Sequence, residues 1–118
     1  MSDPDTTSDA VRDIADVAAV EVITTAAVHL MSAAAVKCGL SPDTPAVKGA
    51  DLIDLDEARK LITALAGLVT ASVTEIGNQH ARSLRDGLRS LQLAFREASP
   101  YPDAPGEGPG EKLTGSVV

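Results

Sequence analysis

Apolar residues recur at helical spacing in three stretches of the chain, each bounded by residues that stop helices. The first stretch starts at about residue 17 or 19 and runs to residue 38. Ile23, Ala27, Leu30 or Met31, and Ala34 share one face, and Thr25, His29 and Ser32 form a polar strip. Gly39 supplies a left-handed stop, and Lys37 suits the negative end of the helix dipole. The second stretch opens at Asp54, a capping residue with Glu57 at capping-box spacing. Leu61, Leu65, Leu68 and Ser72 make its apolar stripe, flanked by Ile62, Val69 and Val73. Arg59, Thr63, Gly67, Thr70 and Thr74 lie opposite, and Gly77 ends the helix or sits in the next turn. The third begins near Asn78 or His80 and stops near Ala98, ahead of Pro100. Its seam is Leu84, Leu88, Leu91 and Phe95.

The rest reads as connections and tails. Residues 1–13 carry Asp3, Asp5, Asp9 and Asp13 among Ser, Thr and Pro, a composition with too little apolar surface to order itself. Residues 41–54 contain two prolines and Gly49, which break any helix through them. From residue 99 on, four prolines and four glycines fall within twenty residues. That stretch reads as an extended or disordered tail able to dock on the helices but not to form its own core. The expected fold is all-α: a compact three-helix domain over residues 14–98, between an acidic tail (1–13) and a Pro/Gly-rich tail (99–118).

Charge and composition narrow the possible functions. A formal net charge of -7 argues against broad nucleic-acid binding. Phe95 and Tyr101 are the only aromatics, so bases have little to stack on. The lone cysteine, Cys38, cannot form an internal disulfide and reads as a small buried apolar group. The acidic N-terminus is the reverse of a signal peptide, so a cytoplasmic location is expected. Residues 22–36 carry no formal charge with His29 neutral, yet a membrane span needs ~20 mostly apolar residues. The run is bounded by Glu21 and Lys37 and reads as a buried helix of a soluble domain, with no membrane partner.

Three kinds of chemistry can be weighed. Residues 106–114, GEGPGEKLT, superficially resemble a phosphate-binding loop, but Glu111 and Leu113 stand where that motif needs Gly and Ser or Thr. No strand or helix is expected around it. His29, His80 and Cys38 lie in different elements without metal-ligand spacing, so no metal or cofactor is expected. His29 fits the edge of the core or an interface, and His80 the first turn of the third helix. Asp51, Asp54, Asp56 and Glu57 cluster, but capping and solvation account for them. A small-aliphatic core around three helices leaves little room for a substrate cleft. No catalytic residue is assigned, and the protein is expected not to be an enzyme.

The arginines are the remaining feature. Arg82, Arg85, Arg89 and Arg96 lie near one side of the third helix, with Gln92 in the gap. They make either a solvated edge or a docking edge. In the first case they are neutralised in part by Asp86 and Glu97, or pair with Asp56, Glu57 or the acidic tail. In the second they meet an acidic protein, or phosphates of an RNA or ribosomal partner, since the guanidinium fork binds both. A core of about eighty residues is also marginal, and the Thr63/Gly67/Thr70 face lacks charge. A homodimer through the first two helices is therefore expected.

The segments HLMSAAAVKCGL, DLDEARKLITALAGLVTAS and LRDGLRSLQLAFREASPYPDAPGEGPGEKLTG resemble the small bacterial family catalogued as domain of unknown function 1844, in its actinobacterial form. The likeness covers about residues 13–115. The family has no established activity, so the resemblance assigns no catalytic residue. Its actinobacterial genes often sit near those for translation initiation factor three and two large-subunit ribosomal proteins, which implies a translation-linked role. It also makes the GPGEKLTG ending, with Tyr101 and Lys112, a second candidate contact element beside the arginines. The function expected is a non-enzymatic interaction module. The alternative is a ribosome- or RNA-associated factor using the same arginines.

Overall fold

The structure is a computed structural model and describes residues 14–40 and 53–118. Residues 1–13 and 41–52, which hold the acidic tail and most of the first connection, lie outside the described residues. Three long helices, α1 (Ala19–Lys37), α2 (Leu55–Ile76) and α3 (Asn78–Ala98), form the body, and a short helix α4 (Glu111–Thr114) follows. The chain is all-α, as expected.

Each boundary has a local cause. Gly39 (φ 89°) turns the end of α1, donating its amide to Val36 O (2.9 Å) while Leu40 N reaches Ala35 O (2.7 Å). This pair of bonds is the Schellman arrangement. At the start of α2 the Asp54 carboxylate accepts from Glu57 N at 3.2 Å. The capping box closes on that side only. Glu57 turns its own carboxylate to Lys60 (2.7 Å), and Asp54 N donates to Lys37 O (2.8 Å). That last bond sets the end of α1 beside the start of α2. Gly77 (φ 88°, ψ 156°) alone separates α2 from α3, a conformation that suits glycine. The Arg59 guanidinium lies over the Phe95 ring, 5.0 Å from its centre, so the start of α2 meets the end of α3. The three helices therefore run up, down and up.

The core is built around α2, which buries Ala58, Ile62, Leu65, Ala66, Val69, Ser72 and Ile76. From α3 come the expected Leu84, Leu88, Leu91 and Phe95. α1 contributes less than its apolar composition suggests, fully burying only Ala27 and Ala34. Its outer side is open, which corrects the expectation of a buried helix. Small residues let it approach closely: a Cβ at Gly87 would stand 2.7 Å from Met31 Sδ.

The C-terminal stretch is ordered as an extended arm laid along α2 and α3, with α4 as one turn within it. Gly108, Pro109, Glu111 and Val117 of this arm are buried. It docks without making a core of its own, in agreement with the extended reading.

Candidate functional site: the arginine cleft and the arm that borders it

α3 carries four arginines, but the fold separates them into two groups. Arg96 faces the arm and donates from Nη1 to Asp103 O at 2.8 Å. Asp103 is in turn held by Arg59, whose Nη2 lies 2.9 and 3.2 Å from its carboxylate oxygens. Arg96 and Arg59 thus fasten the start of the arm. Arg82, Arg85 and Arg89 remain exposed and make no ion pair with another described residue. The carboxylates of Asp56 and Glu57 are not their partners among the described residues; Glu57 is taken by Lys60.

Gln92 falls between the apolar seam and the arginines. It is 2 % exposed, and its amide nitrogen donates to Pro109 O (3.0 Å) and Thr114 Oγ1 (3.1 Å). One side chain therefore pins both ends of the GPGEKLT segment. Within it, Gly106 N donates to Glu111 Oε1 at 2.9 Å, and a Cβ at Gly108 would collide with the same carboxylate. Gly110 has φ 77° and no room for a Cβ, which would stand 2.6 Å from Ala66 Cβ. In place of a phosphate, the loop encloses its own Glu111 carboxylate, 5 % exposed. The likeness to a phosphate loop ends there, although a short helix does follow. Lys112 points outward, 3.9 Å from Glu107, and Tyr101 is 92 % exposed.

The arm creates a space that a count of three helices does not foresee. An open cleft of about 580 Å³ lies between α2, α3 and the last residues of the arm. Val69, Val73, Leu88 and Val117 give it an apolar lining, and Thr70, Thr74, Gln92 and Thr114 supply hydroxyls and an amide. Arg85, Asp86 and Arg89 line it from α3. Such a cleft offers paired cations beside an apolar pocket, which is the chemistry that receives a carboxylate next to an apolar side chain.

Gln92, Asp103, Arg59 and Glu111 carry roles that helical periodicity cannot assign. The available signal was a polar residue beside the seam and glycines alternating at 106, 108 and 110.

A second surface lies on the outside of α1. Thr25, Val28, His29, Ser32, Ala33 and Val36 line a shallow groove of about 460 Å³. By length and composition α1 is also long and apolar enough to cross a membrane. His80 is exposed in the first turn of α3, and Cys38 is buried at the end of α1. Burial pushes the Cys38 thiol up from its ordinary 9.0.

A family model described as Domain of unknown function (DUF1844) matches residues 19–97, which spans α1, α2 and nearly all of α3. No curated protein and no solved structure matches the chain.

Proposed function

The chain belongs to the family described as domain of unknown function 1844, and on that premise we propose that it is a non-enzymatic interaction module. Its cleft beside Arg85 and Arg89 receives an acidic segment of a protein partner. The observation that carries this reading is the pair of guanidiniums lining an open cleft and in no ion pair with another described residue. The apolar lining supports a peptide over a bare polyanion, because it can take a side chain while the arginines hold the neighbouring carboxylate. The net charge of -7 and Asp86 in the lining weigh against a long phosphate backbone.

The module acts as a homodimer in this reading. The support is the outer face of α1, which carries no formal charge with His29 neutral between Glu21 and Lys37, whereas surface helices ordinarily keep a charged face.

An affinity capture from native cytosol, with and without nuclease, tests the cleft. Wild-type protein is expected to retain an acidic protein after nuclease treatment, and the Arg85→Ala/Arg89→Ala double variant to lose it with helix content unchanged. Equal recovery by the double variant refutes the cleft. A partner lost on nuclease treatment supports instead an RNA or ribosomal partner on the same arginines.

A further inference from the structure

The outer face of α1 has an internal symmetry. Val22, Thr25, His29, Ser32 and Val36 follow one another at spacings of 3, 4, 3 and 4. Measured from His29 they stand at -7, -4, 0, +3 and +7, so reversing the helix nearly reproduces the face. Valine falls on valine, the hydroxyl of Thr25 on that of Ser32, and His29 on itself. The two charges that bound the face, Glu21 and Lys37, lie eight residues to either side of His29. An antiparallel pair therefore brings opposite charges to each end, whereas a parallel pair stacks like on like. Antiparallel helices also oppose their dipoles favourably. Val22, Thr25, Val28, His29 and Ser32 are all exposed, and Val36 is partly so. Of the eight large apolar side chains exposed on the described chain, Val22 and Val28 both belong to α1.

We infer that α1 seats the α1 of a second copy of this chain, antiparallel, with the two His29 side chains meeting at the two-fold axis. The inference rests on the reading that the module self-associates, and it assigns the interface to α1 rather than to α1 and α2 together. A patch whose charges and apolar groups repeat in reverse is what a two-fold interface requires, because each residue meets its own mirror in sequence. Ala33 in the groove is small and lets the two backbones approach. From Val22 to Val36 the face is about 21 Å long at 1.5 Å per residue. A standard interface takes about 800 Å² from each partner, roughly a tenth of this chain's 7467 Å². One helix pair falls at or below that size, so dissociation is expected on the order of micromolar.

The experiment combines sedimentation with single cysteines in a Cys38→Ala background. The wild-type chain is expected to sediment as a concentration-dependent dimer. His29→Glu, which sets two carboxylates across the axis, is expected to weaken the dimer at least tenfold with helix content unchanged. Under mild oxidation His29→Cys is expected to cross-link to itself. Val22→Cys is expected to cross-link when mixed with Val36→Cys and much less when alone. A monomer at all concentrations up to 100-fold above the expected range (on the order of 100 µM) overturns both the dimer reading and this interface. A dimer that tolerates His29→Glu, or in which Val22→Cys cross-links to itself, keeps the dimer and overturns the antiparallel α1 pairing. Co-sedimentation of the wild-type chain with phosphatidylcholine/phosphatidylglycerol vesicles, abolished by His29→Glu, overturns it in favour of a membrane surface.

Discussion

Gln92 and Pro109, seventeen residues apart, are joined by a buried hydrogen bond of 3.0 Å from the glutamine amide to the proline carbonyl. The same nitrogen reaches Thr114 Oγ1, so this one side chain holds the arm against α3. Replacing Gln92 with Leu keeps the volume but leaves the Pro109 carbonyl buried without a donor. Such a group costs about 1–3 kcal/mol, and urea denaturation is expected to show a loss of that size. Amide exchange at residues 110–115 should rise while α1 and the seam of α3 stay protected. Gln92→Glu should be worse at neutral pH, because a carboxylate only accepts and would face the Pro109 oxygen. Unchanged exchange in the arm would show that it is held by something other than Gln92.

The glycines divide by what surrounds them. Gly110→Ala meets both a left-handed backbone and Ala66, so its cost is expected to exceed the ~1 kcal/mol of a strained backbone alone. Gly106 (φ 86°) has open space around its Cβ position, and Gly106→Ala should lose only the conformational part. Gly67 sits inside α2 with nothing within 4 Å of that position. Gly67→Ala is therefore expected to stabilise the chain by about 0.5–1 kcal/mol, through helix propensity and a less mobile unfolded chain. Thermal melts of the three variants should rank them in that order. If α2 joined the dimer through a close approach at Gly67, the same variant would weaken association instead.

The bundle was legible in the sequence because its signals are periodic and local. Leu84, Leu88, Leu91 and Phe95 recur at helical spacing, and Asp54 and Gly39 mark helix ends through the backbone groups they satisfy. The arm was not legible, because its order depends on one buried amide seventeen residues away and on two glycines, Gly108 and Gly110, packed where a side chain cannot fit. Neither leaves a period. The arginines were legible as a set but not as two groups: Asp103, seven residues on and past the end of α3, withdraws Arg96 from the edge only because the arm folds back and Arg59, forty-four residues away, holds it. The charge-free run of α1 read as burial. In the fold it is half open: Ala27 and Ala34 are fully buried, Ile23, Leu30, Met31 and Ala35 pack partly against the core, and the opposite face is exposed.

Cys38 makes a prediction about alkaline pH. Burial raises its thiol above 9.0 because the thiolate is poorly solvated there. A group whose pKa is raised on folding contributes stability that is complete below its unfolded value and is lost as pH rises through the folded value. Stability should therefore hold up to about pH 9 and then decline, and Cys38→Ala should flatten that decline. The thiol should also react far more slowly with a thiol-specific reagent in the native chain than in denaturant at the same pH. Equal rates would mean that Cys38 is reached through local opening.

The salt dependence of capture separates the two kinds of partner for Arg85 and Arg89. An acidic peptide meeting two arginines neutralises about two charges, whereas RNA releases counterions for every phosphate contacted. With two contacts, affinity is expected to fall about tenfold between 50 and 200 mM salt, against about 10³-fold or more for a protein making six or more phosphate contacts. The Arg85→Ala/Arg89→Ala variant should then show a slope near zero for an acidic peptide, whereas RNA held by further contacts would keep most of its slope. Arg96→Ala should leave the slope of the otherwise wild-type chain unchanged, because Arg96 is spent on Asp103 O. Its effect should appear as a looser arm, through faster exchange near Asp103. A steep slope that Arg96→Ala also reduces would place the contact along the whole arginine row, as a phosphate backbone requires, and not in the cleft.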